Sequence, residues 1–172
     1  MDTLRKLILG VWLIACWPTV VLADPALDRL PTAQLVGQGL FSRFGFSIYE
    51  AKLWAPGGRY QANEAFALSL TYLRQVKGTS MVQATVEEME KLKAPINERK
   101  DWVAELVQAF PNVQAGESIT AVYRPGQGAE FFHRDQPTGR INEHLAQHFF
   151  AIWLDPRTSE PALRQALLGE KP

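Results

Sequence analysis

Arg74 is the residue of this chain whose position most suggests chemistry, because it ends a strand-like run of alternating apolar side chains. Strand alternation from residue 65 to 74 places four apolar side chains on the face that also carries Arg74: Phe66, Leu68, Leu70 and Tyr72. If helices cover that face, the guanidinium lies at the edge of an apolar interior, where an unpaired charge is costly. Arg74 must then have an anionic partner.

Two kinds of partner are open for Arg74. One is a carboxylate of the protein itself, with Glu87 or Glu88 on the following predicted helix as the nearest candidates. The other is a bound ligand that offers a carboxylate or a phenolate, and a carboxylate could be held by two parallel hydrogen bonds. The sequence leaves both open.

Other residue patterns point to simpler structural roles. His144 and His148 have the spacing of two metal ligands on one helix face, but the remaining histidine, His133, falls in a predicted hairpin. The serines form no G-x-S-x-G motif, and residues 125–128 lack the Lys-Ser/Thr of a phosphate-binding loop. We therefore expect no metal, no cofactor and no nucleophilic serine.

Composition indicates one ordinary globular domain. The 172 residues contain 18 basic and 18 acidic side chains, with no block of like charge. Binding to nucleic acid requires a basic surface that this sequence does not offer, so we expect no nucleic-acid partner.

The periodicity predicts strands first, then helices, then a hairpin, then helices again. We predict strands over 34–40, 44–54 and 65–74, helices over 80–92 and 98–110, a hairpin with strands 118–124 and 129–134, and helices over 141–154 and 161–168. Ser80 and Gln83 have the spacing of a capping box for the first helix. This order predicts an α+β fold, an antiparallel sheet with helices packed on one side.

The N-terminal residues are typical of a secretory signal peptide. Arg5 and Lys6 precede an apolar run over 7–15, and small residues at Val21 and Ala23 suit cleavage before Asp24. We expect residues 24–172 to form an exported, periplasmic domain with no membrane span. Acylation at Cys16, as in a lipoprotein, is the alternative.

Several segments together resemble the bacterial chalcone isomerase-like proteins. They are residues 46–54 (FSIYEAKLW), 70–74 (LTYLR), 86–89, 116–117, 123–128 (YRPGQG), 149–154 and 163–169. The resemblance runs from about residue 35 to 169 and implies an open-faced β-sandwich, in which a cleft separates a large antiparallel sheet from a layer of helices.

The resemblance implies two possible functions. Some members of the family close a flavanone ring without a cofactor, and related members bind a fatty-acid carboxylate with an arginine beside an apolar tunnel. Tyr49 falls near a catalytic threonine position, but residues 36–41 offer no matching catalytic arginine. Arg74 falls where the lipid-binding members carry their strand arginine, and Tyr72 and Tyr49 are candidates for a second polar contact.

We therefore expect an exported, non-catalytic binder of a small amphipathic acid such as a fatty acid. Arg74 would hold the head group, while Phe66, Leu68 and Leu70 would line the tail. A cofactor-independent isomerase and a structural or partner-binding periplasmic domain are the alternatives. The shape of the space beside Arg74, an open apolar cavity or a filled core, distinguishes them.

Overall fold

The computed structural model describes residues 28–30, 32–95, 99–134 and 136–170. The predicted signal peptide, its cleavage site and Cys16 lie outside the described residues. Among those described, no helix is long and apolar enough to cross a bilayer.

Within the described residues, six antiparallel strands form one sheet whose spatial order equals their order in the chain. Each strand therefore pairs with its neighbours in sequence, as alternating segments joined by short turns favour. The strands are β1 (Ala33–Arg43), β2 (Phe46–Pro56), β3 (Phe66–Tyr72), β4 (Ser118–Arg124), β5 (Gly128–His133) and β6 (Gln136–Ile141).

Helices pack on one face of this sheet. They are α1 (Gly78–Lys91), α2 (Arg99–Ala109), α3 (Glu143–Leu154) and α4 (Pro161–Leu167). The predicted fold class, an antiparallel sheet covered by helices on one face, is confirmed.

Side-chain alternation makes the two faces of the sheet chemically different. Across the covered face, Leu53, Leu68 and Ala121 occupy one row of paired positions and are all buried. On the other face, neighbouring strands are linked by polar side chains, with Ser69 Oγ and Thr120 Oγ1 2.9 Å apart. The main core thus lies between the sheet and the helices.

The structure corrects two sequence expectations. The sequence does not predict β6, because Pro137 and Gly139 are poor strand residues. β6 lies at the edge of the sheet, where a proline is tolerated. Position 139 has no room for a side chain, since a Cβ there would lie 2.8 Å from the Cα of Ala109 on α2.

The capping box predicted at Ser80 is also wrong. α1 begins after Lys77, and its Gly78 N–H donates instead to Asn112 Oδ1 at 2.9 Å.

Candidate functional site

A cavity of about 240 Å³ lies between the covered face of the sheet and helices α1, α3 and α4. Its wall is largely apolar, and Leu68 and Leu70 are among the residues that form it. Other apolar lining residues are Ile119 on β4, Phe131 on β5, Phe110 after α2 and Phe149 on α3. The interior is therefore suited to hydrocarbon.

Two tyrosines, Tyr49 and Tyr72, bring phenol groups to the same cavity. They are paired across β2 and β3, and their ring centroids lie 5.8 Å apart. Trp153 Nε1 donates a hydrogen bond to Tyr49 Oη at 3.0 Å. Within the described part of the chain, the Tyr72 hydroxyl has no hydrogen-bond partner.

Both phenols are protonated at neutral pH, and their surroundings extend this state to more alkaline pH. Burial raises the pKa of Tyr72 well above its usual value, and the neighbouring Tyr49 adds to the effect. Burial also raises the pKa of Tyr49; the Trp153 N–H acts in the opposite direction, while the negative charges of Glu160 and Glu88 raise it further. Each hydroxyl can therefore donate to an acceptor inside the cavity, and the bond from Trp153 strengthens Tyr49 as a donor.

Charged side chains gather where the cavity opens to solvent. Arg43, at the end of β1, and Glu160, before α4, are exposed and line this opening. Glu88 accepts from Lys91 Nζ at 2.6 Å and from Ser159 Oγ at 2.7 Å. Burial opposes ionisation of Glu88, but these bonds and the charges of Lys91 and Arg43 hold its pKa below the usual value. The cavity is thus polar at its mouth and apolar inside.

Arg74 does not occupy the position that strand alternation predicts. β3 ends at Tyr72 and the chain bends over residues 73–74, so the alternation stops before the arginine. Arg74 is exposed, does not line the cavity, and places its guanidinium 5.1 Å from the ring centroid of Phe46. The expected placement at the mouth of the hollow is wrong.

The pairing of Arg74 with a glutamate of α1, one of the two alternatives that the sequence leaves open, is wrong as well. Glu88 bonds Lys91 and Ser159, and Glu87 accepts from Gln83 Nε2 at 2.9 Å. The case for a ligand therefore depends on the cavity and its phenols.

Of the other predicted lining residues, Leu68, Leu70, Tyr49 and Tyr72 do line the cavity. Phe66 lines a second depression instead, with Tyr60, Tyr123 and Phe150 among its neighbours there. Arg43 was missed because its strand extends three residues beyond the predicted end at residue 40, as far as the hairpin turn.

Two glycines of β1 show why no large side chain reaches the cavity from positions 37 and 39. A Cβ at Gly37 would overlap the carbonyl oxygen of Ala166 and lie 2.6 Å from that of Leu167, both on α4. A Cβ at Gly39 would lie 2.7 Å from Leu163 Cδ1. α4 fills the space that side chains would need at these two positions.

The two helix histidines lie side by side on α3. The ring centroids of His144 and His148 are 4.8 Å apart, and His148 also packs against Trp102 at 5.5 Å. In the part of the chain that the structure describes, no three His, Cys, Asp or Glu side chains are grouped to hold a metal ion.

Comparison with known proteins agrees with this architecture. The model of a protein family described as chalcone isomerase-like matches residues 27–169. Among solved structures, the fatty-acid binding protein AtFAP1 of Arabidopsis thaliana is similar, with a TM-score of 0.61 and 13% sequence identity over 80% of this chain and 87% of that chain. At this identity the likeness shows a shared fold. No curated protein matches the chain.

Proposed function

The chain belongs to the chalcone isomerase-like family, and on that premise we propose that it binds a small amphipathic acid, such as a fatty acid, without transforming it. The observation that carries the proposal is the cavity itself, which is apolar inside and has two phenol donors and a polar mouth. The shared fold of a fatty-acid binding protein supports it.

The proposed ligand places its tail inside the cavity and its carboxylate near Tyr49, Tyr72 and Arg43. Each buried methylene contributes about 0.8 kcal/mol. A hydrogen bond from a neutral donor to a charged acceptor contributes about 1.5–3 kcal/mol. Arg43 is exposed, so solvent screens its attraction for the carboxylate. Affinity then comes mainly from the tail and the phenols.

The size of the cavity limits the length of the tail. An engineered apolar cavity of about 150 Å³ in another protein takes up one benzene molecule. By the same proportion, about 240 Å³ holds roughly ten non-hydrogen atoms. We therefore propose a medium-chain acid or an aromatic acid of similar size, whereas longer tails would protrude from the mouth.

The glycines of β1 weigh against an isomerase. An arginine at position 37 or 39 could enter the cavity only if α4 moved away, and position 41, which does line the cavity, holds Phe41. The two phenols could still stabilise an oxyanion, so turnover of a chalcone above the spontaneous rate would be the observation in favour of the isomerase.

A series of saturated acids of increasing length tests the binding proposal. We expect native mass spectrometry of the purified protein to show a co-purified acid, and calorimetry to show Kd falling about fourfold per methylene. The gain should stop once the tail exceeds roughly ten carbons. Methyl esters of the same acids serve as controls and should bind more weakly. If no acid co-purifies and none binds at millimolar concentration, the proposal is wrong.

We also propose that the protein acts in the periplasm after export. The basic start, apolar run and small residues before Asp24 support this. Sequencing the N-terminus of the protein from its host should give Asp24. An acylated Cys16 would instead favour the lipoprotein alternative, and an intact Met1 would contradict both.

A further inference from the structure

The turn between β1 and β2 carries an exposed apolar cluster. Phe44 is 87% exposed, Phe46 60% and Leu73, beside them, 47%. They lie at one end of the sheet: Phe44 is in the turn that joins Arg43 to its paired residue Phe46, Phe46 contacts Arg74, and the Leu73 N–H donates to the Ile48 carbonyl at 2.9 Å. We call this cluster, with its two arginines, the aromatic tip: Arg43, Phe44, Phe46, Leu73 and Arg74.

Folding alone does not explain a phenylalanine at position 44. Phe44 and Gly45 both have positive φ, 52° and 79°, and connect the paired residues Arg43 and Phe46. Such a turn favours Asn, Asp or Gly at its first central position, and a bulky side chain there is disfavoured. An unfavourable residue that is also fully displayed to solvent points to a role in binding.

The aromatic tip is cationic, although the whole chain has no net charge. Residues 39–49 and 72–80 contain Arg43, Arg74 and Lys77 and no acidic residue, and the acidic side chains Glu88 and Glu160 lie at the adjoining mouth of the cavity. The guanidinium of Arg43 lies 5.4 Å from the ring centroid of Phe44, and that of Arg74 lies 5.1 Å from Phe46. Aromatic rings beside arginines suit the boundary between lipid tails and anionic head groups.

The tip is continuous with the mouth of the cavity. Arg43 and Ile48 line the cavity themselves, and Phe41 stacks on Tyr49 with ring centroids 4.9 Å apart. A binding partner that contacts the tip therefore also lies next to the opening of the cavity.

We propose that the aromatic tip docks on an anionic phospholipid membrane, with Phe44 and Phe46 in the interface and Arg43 and Arg74 on the lipid phosphates. The docked protein would exchange its acid directly with the lipid, a step that depends on the binding function proposed above. A membrane fits better than a protein partner, because the two rings offer roughly 300 Å², well short of the ~800 Å² per partner of a typical protein interface.

A dye placed at the tip tests docking in the 172-residue chain. In a Cys16→Ser background, Ser42→Cys carries a polarity-sensitive fluorophore beside the tip, and Gln127→Cys carries it on the exposed turn between β4 and β5. The probes are vesicles of phosphatidylcholine, alone or with about one third phosphatidylglycerol. Docking by the tip shifts the emission of the fluorophore at position 42 and not at position 127. Attachment of the protein to the vesicle through residues 1–23 would not produce that difference between the two positions.

We expect a blue shift at position 42 with the anionic vesicles, none at position 127, and a weaker shift in about 0.5 M salt. Phe44→Ser with Phe46→Ser should abolish the shift, whereas Val107→Ser, which removes a similarly exposed apolar side chain from α2, should keep it.

No shift at position 42, or an equal shift at both positions, overturns the proposal. A shift that appears without vesicles as the protein is concentrated also overturns it, in favour of a protein partner. Binding of acids in vesicle-free solution is measured separately, so loss of docking and loss of ligand binding are distinguishable.

Discussion

The Tyr72 hydroxyl is the side-chain group most directly available to a ligand. It lies on the wall of an apolar cavity, and burial raises its pKa further above neutral pH. Within the described residues, it forms no hydrogen bond with another group. A polar group in such a place is unfavourable unless something satisfies it. A ligand acceptor in the cavity would satisfy it.

Tyr72→Phe should therefore weaken acid binding without weakening the fold. We expect Kd to rise roughly 10- to 100-fold from loss of a charge-assisted bond, and the free energy of unfolding to change by less than about 0.5 kcal/mol. Tyr123→Phe is the matched control. Its hydroxyl donates to Glu143 Oε1 at 2.7 Å away from the cavity, so its loss should destabilise the protein and leave Kd unchanged. Calorimetry and urea unfolding measure the two quantities, and unaltered binding in Tyr72→Phe would contradict the site.

Two arginines distinguish the observed site from the one that the strand pattern predicts. Arg43 lines the mouth of the cavity and Arg74 does not. In vesicle-free solution at low salt, Arg43→Ala should raise Kd about two- to fivefold, because solvent screens an exposed charge. Arg74→Ala should leave Kd unchanged. The reverse result would restore the assignment made from strand alternation and require a different path for the ligand.

At the scale of elements, the contact between β1 and α4 sets the shape of the cavity. α4 contributes Leu163 to the lining, and its backbone passes so close to Gly37 that a methyl group would overlap the carbonyl oxygens of Ala166 and Leu167. α4 can hold Leu163 over the sheet because β1 offers no side chain there.

Gly37→Ala should therefore displace α4 from β1. We expect a loss of about 1–3 kcal/mol in unfolding free energy from the overlap, together with weaker acid binding as the lining shifts. Gln38→Ala, at the adjacent exposed position, is the control and should change neither quantity appreciably. If Gly37→Ala is as stable as the parent, the close packing of α4 is not a constraint on the fold.

Most of these elements could be predicted from the sequence, because each has a strong local pattern. β3 alternates, α1 repeats apolar residues at Val82, Val86 and Met89, and proline and glycine bound α4. β6 could not, since Pro137 and Gly139 suit a strand only at the sheet edge.

The candidate site was predictable in its apolar part and not in its charge. Leu68, Leu70 and Tyr72 follow from alternation, but the orientation of Arg74 depends on where β3 stops. The position of Arg43 depends on how far β1 continues. Strand ends are set by pairing with neighbouring strands, and local sequence specifies that pairing weakly.

For the whole molecule, two carboxylates make stability depend on pH, and one of them, Asp155, lies beside the site. Hydrogen bonds from the Gln114 N–H, Arg134 and His133 lower the pKa of Glu117 to about 2. Bonds from Arg157 lower the pKa of Asp155 to about 2 against the effect of burial. Asp155 caps the end of α3, and Thr158, Ser159 and Glu160, three to five residues further on, line the cavity. Protonating Asp155 therefore weakens the segment that forms the mouth.

The sign of the pH effect follows from these lowered values. A group with a lower pKa in the folded state stabilises the fold fully above its ordinary pKa and loses that contribution as pH falls through the folded value. The urea midpoint should be steady from pH 7 to about 5 and fall between pH about 4.5 and about 2.

Asp155→Asn should lower the urea midpoint at pH 7 and reduce the fall of the midpoint in acid. Glu64→Gln, on an exposed turn, controls for the loss of one charge. An Asp155→Asn protein with the parent's full acid slope would show that this carboxylate does not secure the mouth of the cavity.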